Sequence, residues 1–156
     1  MNVFEKSMEV MNRLFSKDYQ FALATANKNV PSVRFVDTYY EDSNFYIVTY
    51  AKSQKVKEIE QNPNVSLCNK QYRFSGLAYN IGHPLEPQNT KIREKLIKVF
   101  EPWYFAHNNE KDENMCYLRI EITNGFFYQN GVGYIVDFKK EEAKEFPFEF
   151  EISTIE

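Results

Sequence analysis

Short apolar segments separated by polar turns follow one another through the first half of the chain, and this spacing limits the fold most. Tyr19–Ala26 ends at Asn27-Lys28-Asn29, Val30–Tyr40 ends at residues 41–44, and Phe45–Tyr50 follows directly. Segments of this length, rich in Val, Phe and Tyr, are typical of β-strands joined as hairpins. Parallel neighbours need a crossover of about a dozen residues or more. These turns are too short for that, so the sheet is predicted to be antiparallel.

The same pattern continues in the second half of the chain. Four more strands are predicted: Val65–Asn69, Tyr72–Ile81, Cys116–Gln129 and Val132–Phe138. The last two meet at Asn130-Gly131, which is a strong hairpin signal. The tail Phe146–Phe150 alternates like a strand. It contains a proline that a central strand would not accept, so it is predicted to be an edge strand. An aromatic content of 17%, with 14 Phe and 11 Tyr, agrees with a β-rich fold.

Three segments have the pattern of peripheral helices. Residues 2–16 carry apolar side chains on one stripe, with a capping box at Asn2 and Glu5. Ser53–Gln61 is a short helix, and another amphipathic helix ends before Pro102. No repeat or linker interrupts residues 1–156, so we expect a single domain, a β-barrel or sandwich with two or three helices around it.

Composition argues against several partners. The formal net charge is −3 and the pI is near 5.5, which disfavours broad capture of nucleic acid or of an anionic membrane. No apolar run approaches the roughly 20 residues of a membrane span. The N-terminal segment does not have the pattern of a signal peptide. We therefore expect a cytoplasmic protein that binds neither nucleic acid nor membrane.

The cysteines and histidines do not form a recognisable metal or redox motif. Cys68 and Cys116 lie in apolar strand segments without a Cys-x-x-Cys spacing. We expect two buried free thiols in a reducing compartment, with a single disulfide as the alternative. His83 and His107 are isolated, so no metal site is expected.

The junction after Phe45–Tyr50 carries the clearest chemical signal. A strand leads into a helix whose predicted N-cap is Ser53, and basic residues come before acidic ones, in the order Lys52, Lys55, Lys57, Glu58, Glu60. This order opposes the helix dipole, which favours acids at the N-terminus. One interpretation is a solvated helix with an accidental charge order. The other is an anion site, since free N–H groups, a hydroxyl and an ammonium group together bind phosphate.

Arg34 is a second basic residue with an unusual context. It lies in the middle of the otherwise apolar segment Ser32–Val36. Arginine is rarely buried without a partner, so it requires either an acid or a bound anion. An exposed strand face or a salt bridge would also explain it.

Five segments, taken in order and spacing, are similar to one known family. They are Phe21-Ala-Leu-Ala-Thr, Val30-Pro-Ser-Val-Arg-Phe-Val, Phe45-Tyr-Ile-Val-Thr, Ser53-Gln-Lys-Val and Asn62-Pro-Asn-Val-Ser-Leu. Together they resemble the pyridoxamine 5′-phosphate oxidase-like family of FMN-binding split barrels. The resemblance covers about residues 4–82.

The resemblance implies a mainly β (α+β) fold, a six-stranded antiparallel split β-barrel with Greek key connections. It also implies a homodimer with FMN bound between the subunits. The cofactor-binding residues that it implies are Arg34 for the phosphate; Phe35, Val36 and Asp37 beside the isoalloxazine; Val48 and Thr49 at the flavin border; and Ser53, Gln54 and Lys55 for the phosphate. Trp103 has two open roles, covering a flavin from the partner subunit or packing in the core.

The chain also departs from that family. The C-terminal Arg-x-His motif of the true oxidases is missing, and Tyr72-Arg-Phe-Ser-Gly lacks their flavin-contacting glutamine. Oxidation of pyridoxamine phosphate is therefore not expected. The sequence predicts a flavin-dependent oxidoreductase with a small-molecule redox substrate and names no catalytic residue. The alternatives are a non-catalytic FMN-binding or flavin-storage protein, and a split barrel that uses haem or another cofactor.

Overall fold

The computed structural model describes residues 1–149, which form eight β-strands and four α-helices. The strands are β1 (Tyr19–Asn27), β2 (Val30–Glu41), β3 (Asn44–Tyr50), β4 (Asn64–Asn69), β5 (Tyr72–Asn80), β6 (Met115–Gln129), β7 (Val132–Asp137) and β8 (Glu142–Pro147). The helices are α1 (Val3–Phe15), α2 (Gln54–Gln61), α3 (Thr90–Val99) and α4 (Tyr104–His107), with a 3-10 turn at Pro87–Asn89. The short α4 is the one helix that the periodicity did not predict, since four residues are too few to show a pattern.

Six of the strands close into a barrel. The order of neighbours is β3-β2-β1-β4-β5-β6, and β6 pairs back with β3. Every pairing is antiparallel, as the short turns predicted. The connection from β3 to β4 runs through α2 and passes two strands, which gives Greek key order. β7 and β8 extend the sheet beyond β6. The prediction of a mainly β, six-stranded split barrel is confirmed.

The barrel opens between β2 and β3. These strands share only three residue pairs, Tyr39↔Tyr46, Tyr40↔Phe45 and Glu41↔Asn44. On the other side of these pairs, residues 30–38 of β2 pair with β1 alone. Residues 47–50 of β3 pair with β6 alone. We call this gap the split. Helix α2 begins four residues after the end of β3.

An aromatic core fills the barrel under α1. Phe15 is fully buried and meets Tyr19, Tyr72 and Phe74 edge to face, with ring centroids 5.0–5.5 Å apart. The predicted N-cap is confirmed, because the Asn2 side chain accepts a hydrogen bond from the Glu5 backbone N–H at 2.8 Å. The cap and the apolar stripe of α1 together hold this helix against the barrel.

A second core lies outside the barrel, where α3 and α4 pack on β3 and β6. Its fully buried members are Leu96, Phe100, Tyr104 and Tyr117. The Tyr104 and Tyr117 hydroxyls are 2.5 Å apart, and Tyr104 donates to Glu110 at 3.0 Å. This core places the turn between α3 and α4 beside the split.

One expectation about the cysteines is wrong. Both thiols are free, but only Cys116 is buried, whereas Cys68 is exposed. Cys68 follows the inward-facing Leu67 on β4, and alternation therefore puts it on the outer face. Burial raises the pKa of the Cys116 thiol to about 11.

The hairpin turn and the edge strand predicted near the C-terminal end have different outcomes. The turn at Asn130 and Gly131 is confirmed, with positive φ angles of 52° and 79° as a type I′ turn requires. The edge strand β8 begins earlier than expected, at Glu142, and Phe150 lies outside the described residues. Within residues 1–149, no helix has the length and apolar character needed to cross a membrane.

Truncating the central core residue tests this packing. Phe15→Ala should lower the free energy of unfolding by about 3–5 kcal/mol, because it removes a buried ring that its neighbours cannot replace. Phe105→Ala, on a ring that is 60% exposed, should change it by no more than about 0.5 kcal/mol. Urea unfolding measures both. Similar small losses in the two variants would contradict the assigned core.

Candidate ligand site in the split of the barrel

A cavity of about 190 Å³ lies in the split between β2 and β3. Its lining consists of Phe35, Val36, Asp37, Ile47, Val48, Lys55 and Trp103. Six of these seven residues were predicted as site residues from the sequence, and Ile47 is the addition. Strand alternation places Phe35 and Asp37 on the outer face of β2 and Val48 on the outer face of β3. Val36 and Ile47 are almost fully buried and have the opposite, inward parity.

A larger depression of about 690 Å³ lies elsewhere, over the outer face of β1, β4 and β5. Small side chains such as Ala24, Ser66 and Gly76 line it, and its one ionisable residue is Lys139. A few convergent polar and charged groups in an apolar cavity are the usual mark of a ligand site. Chemistry therefore favours the smaller cavity in the split.

The start of α2 provides one end of the candidate site. Ser53 is the N-cap, as predicted, but its side chain makes no capping hydrogen bond. Its Oγ is the one buried side-chain polar atom in residues 1–149 that has no hydrogen-bond partner. Burying an unsatisfied hydroxyl is costly, and the first N–H groups of a helix have no partner within the helix. An anion at this position would accept hydrogen bonds from both.

Two cations converge near this helix start. Lys55 lies in the first turn of α2 and lines the cavity. Burial, and then the neighbouring charge of Arg34, lower the pKa of Lys55 below its ordinary value. Two like charges so close disfavour each other, and a bound anion would reverse that interaction. The predicted phosphate residues Arg34, Ser53 and Lys55 therefore share one region.

Arg34 also has a protein partner. Its Nη1 donates to Thr25 Oγ1 at 2.6 Å and to the Leu23 carbonyl at 3.3 Å. Its Nη2 lies 3.7 Å from Glu58 Oε2, and the Arg34 side chain is 24% exposed. The salt bridge that the sequence left open is thus present, but at a distance that leaves it an ion pair without a hydrogen bond.

Glu58 is the functional neighbour that sequence reasoning missed. Its side chain is only 5% exposed, and it accepts hydrogen bonds from the Thr25 hydroxyl and, at 2.9 Å, from the Gln54 amide. These bonds, together with the charge of Arg34, hold the pKa of Glu58 below its usual range. The i, i+4 spacing of Gln54 and Glu58 was the available signal.

Four predicted site residues, Arg34, Thr49, Ser53 and Gln54, are absent from the lining of the cavity. Gln54 turns its amide to Glu58. Thr49 faces the barrel interior, is 5% exposed and pairs with Cys116 of β6. The neighbouring Val48 takes the outward position instead.

Trp103 forms the wall opposite the strands. Its ring stacks on Phe100 with centroids 4.5 Å apart and an angle of 29°, and its Nε1 donates to Asp18 Oδ2 at 2.8 Å. The indole packs on the second core, which is one of the two roles that the sequence left open, and it also lines the cavity of its own chain. Its role in covering a flavin of the partner subunit stays a prediction. Burial, followed by a hydrogen bond and charge repulsion from Asp18, raises the pKa of Asp37 to about 6.

The described part of the chain has no group of three or more His, Cys, Asp and Glu side chains arranged to hold a metal ion. At the split, two cations and an unpartnered hydroxyl lie near an apolar and aromatic cavity.

Comparison with known proteins identifies the family. The family model for pyridoxamine 5′-phosphate oxidase matches residues 7–129, which is well over half of the chain. The chain belongs to the pyridoxamine 5′-phosphate oxidase family. No curated protein sequence matches it significantly.

Three solved structures share the fold. A NimC/NimA family protein from Clostridium acetobutylicum is 22% identical, with a TM-score of 0.59 over 94% of this chain and 97% of that one. A pyridoxamine 5′-phosphate oxidase-related, FMN-binding protein from Nostoc punctiforme is 12% identical, with a TM-score of 0.55 over 96% and 98%. A haem-binding protein from Mycobacterium smegmatis is 10% identical, with a TM-score of 0.60 over 81% and 55%. At these identities the likeness concerns the fold alone.

The buried carboxylate behind the site can be tested directly. Glu58→Gln should lower the urea midpoint at pH 7, because a neutral amide replaces a carboxylate that receives several hydrogen bonds. A lowered carboxyl pKa stabilises the folded state above the unfolded value near 4.5 and loses that contribution as pH falls further. The gap between variant and parent should therefore narrow between about pH 5 and pH 3.

Glu60→Gln is the matched control, since Glu60 lies on the same helix, is exposed and bonds only to Asn80 at 3.3 Å among its described contacts. Its midpoint should stay close to that of the parent. Equal losses in the two variants, or a gap that is constant with pH, would show that Glu58 is not held as a buried anion.

Proposed function

We propose that this protein binds FMN in the split of the barrel and is a flavin-dependent oxidoreductase acting on a small-molecule redox substrate. One observation carries the proposal. Lys55 lines a cavity of apolar and aromatic residues, Arg34 is close enough to Lys55 to lower its pKa, and the Ser53 hydroxyl two residues before Lys55 has no hydrogen-bond partner. That combination fits a ligand with an anionic end and a flat ring, as FMN has.

The phosphate end would be held by the chain's own charges. At the start of α2, Lys55 would supply an ammonium group and Ser53 a hydroxyl, and Arg34 would supply a guanidinium group from β2. Charge-assisted hydrogen bonds to a phosphate are about twice as strong as neutral ones. Glu58, the more deeply buried partner of the ion pair, would hold the Arg34 guanidinium group in place.

The ring end would be formed by the strands and by Trp103. Val36, Ile47 and Val48 present apolar surface, and the indole offers a flat face. These residues would orient the ring and exclude water. The bound flavin would supply the electron or hydride transfer, so that no side chain need act as a nucleophile.

We also propose that the protein is a homodimer with the flavin at the subunit interface. The cavity of about 190 Å³ is smaller than the roughly 300–1,000 Å³ of typical ligand pockets. Its wall residue Phe35 is 72% exposed, and Val33 on the same strand face is 69% exposed. A second copy covering this face would bury the apolar residues and complete the pocket.

We do not propose pyridoxamine phosphate as the substrate. The C-terminal strand β8 carries Glu142 and Glu145, Glu145 pairs with Lys6 at 3.0 Å, and β8 contributes no residue to the lining of the cavity. β8 has one basic residue, Lys144, and therefore offers no basic pair for a second phosphate. We further propose a cytoplasmic location, where an exposed free thiol such as Cys68 persists.

Haem and flavin storage remain as rival functions. Haem in proteins is held by an axial ligand such as His, Cys, Met or Tyr, and no residue of these types lines the cavity. Storage and catalysis differ in behaviour, since only an enzyme would have its flavin reduced by a specific donor. The cavity lining favours flavin over haem. A turnover assay distinguishes a flavin enzyme from a flavin-storage protein.

The phosphate contact gives the first functional test. Lys55→Glu should raise the dissociation constant for FMN by roughly 10- to 100-fold, because it replaces a charge-assisted contact with repulsion. Lys57→Glu makes the same charge change on the exposed side of α2 and should have little effect. Flavin fluorescence titration measures both, beside the absorbance spectrum of the purified protein.

Riboflavin serves as the internal control, because it lacks the phosphate. Its affinity should be nearly the same in Lys55→Glu and in the parent, which also shows that the variant is folded. Unchanged FMN affinity in Lys55→Glu would place the phosphate elsewhere.

The interface has its own test. Val33→Asp puts a charge on the exposed strand face without touching the cavity lining, so it should convert a micromolar dimer to a monomer and weaken FMN binding. Phe105→Asp, on an exposed ring of α4, should leave the dimer intact. Sedimentation velocity distinguishes the species. A parent protein that is monomeric with FMN bound would refute the interface site.

A further inference from the structure

Trp103 is held by a carboxylate that belongs to neither the strands nor the helix of the phosphate site. Asp18 lies in the connection between α1 and β1 and accepts the indole N–H at 2.8 Å. The two residues are 85 positions apart in the chain, so only the fold brings them together. The stack on Phe100 fixes the other side of the ring. Asp18 thus sets where the indole wall stands.

A second carboxyl group, that of Asp37, is a near neighbour of Asp18, because Gln20, two residues after Asp18, is the β1 partner of Asp37. Asp37 lies on β2, lines the cavity and is only partly exposed, whereas Asp18 is exposed. Two neighbouring carboxyl groups favour a state in which they share one proton. In that state the Asp18 carboxylate accepts one hydrogen bond from the Asp37 hydroxyl and another from the Trp103 indole.

The groups around Asp37 are few. Asp18 from the α1–β1 connection and Lys55 from α2 are the charged ones. β1 presents the neutral Gln20 opposite Asp37, β3 presents Ile47 and Val48, and the turn before α4 presents Trp103. In the proposed function Lys55 holds the phosphate. Asp18 is therefore the group that shares a proton with Asp37.

We propose that Asp18 is the positioning residue for Trp103, and that the proton it shares with Asp37 makes the position of this wall, and so the grip on a flat ring, depend on pH. The part of the proposal that concerns the ring rests on the proposed function. When pH rises, Asp37 releases the shared proton to water and two carboxylates face each other. Asp37 is fixed on β2, so the exposed Asp18 moves away and the indole loses its anchor.

The chain contains a single tryptophan, so its intrinsic emission reports on Trp103 alone. In the flavin-free protein, the emission should shift to longer wavelength in one transition as pH rises through about 6, the value to which the pKa of Asp37 is raised. Asp37→Asn should remove the transition, because its amide donates to Asp18 at every pH. Glu101→Gln, which removes an exposed carboxylate two residues from Trp103, should keep it.

Variants of Asp18 separate positioning from mere charge. Asp18→Ala should show the long-wavelength emission at every pH, because the indole has lost its acceptor. Asp18→Asn should restore the short-wavelength emission at every pH, since its amide oxygen still accepts the indole N–H. Loss of the transition in Glu101→Gln, or its survival in Asp37→Asn, would overturn the proposal.

Ligand binding is measured with riboflavin, because a flavin phosphate would itself titrate near pH 6. The parent should bind riboflavin several-fold more weakly at pH 8 than at pH 5, and Asp37→Asn should bind equally at both. Equal binding by the parent at the two pH values would overturn the link between the wall and the ring. If no flavin binds at any pH, the proposed function fails, while the emission titration still decides the role of the carboxyl pair.

Discussion

β2 and β3 pair over only three residues, and the candidate site depends on how early these strands part. Had the pairing continued, Asp37 and Val48 would lie on one flat sheet with no space between them. Because β2 follows β1 while β3 follows β6, a cavity opens between the two strands and α2 starts at its edge. The same register therefore opens the cavity beside the start of α2.

Positive charge is in excess beside this opening. The buried Glu58 pairs with Arg34. Lys55 lies two residues after Ser53, whose hydroxyl has no hydrogen-bond partner. One buried acid cannot neutralise both cations. Burial, and then the charge of Arg34, lower the pKa of Lys55. A dianionic phosphate would satisfy the remaining groups. Glu58 thus acts as a support that orients Arg34, and the helix start remains available to a ligand.

Much of the barrel was predictable because alternation and turn residues act locally. The N-cap at Ser53 and the type I′ turn at Asn130-Gly131 follow from nearest neighbours. Contacts between distant segments were not predictable in this way. The hydrogen bond from Trp103 to Asp18 and the exposure of Cys68 depend on how the second core and the outer sheet face are arranged. Of the predicted residues that line the cavity, Phe35, Val36, Asp37 and Val48 came from the family resemblance, whereas Lys55 was also indicated by the charge order of α2.

The most direct measurement is a crystal structure of the protein grown with FMN. The account predicts the phosphate within hydrogen-bonding distance of Ser53 Oγ and Lys55 Nζ, with the isoalloxazine between β2 and β3 against Trp103. It also predicts that a second copy of the chain covers Val33 and Phe35. A flavin seated instead in the depression over β1, β4 and β5, or a phosphate away from the start of α2, would contradict it.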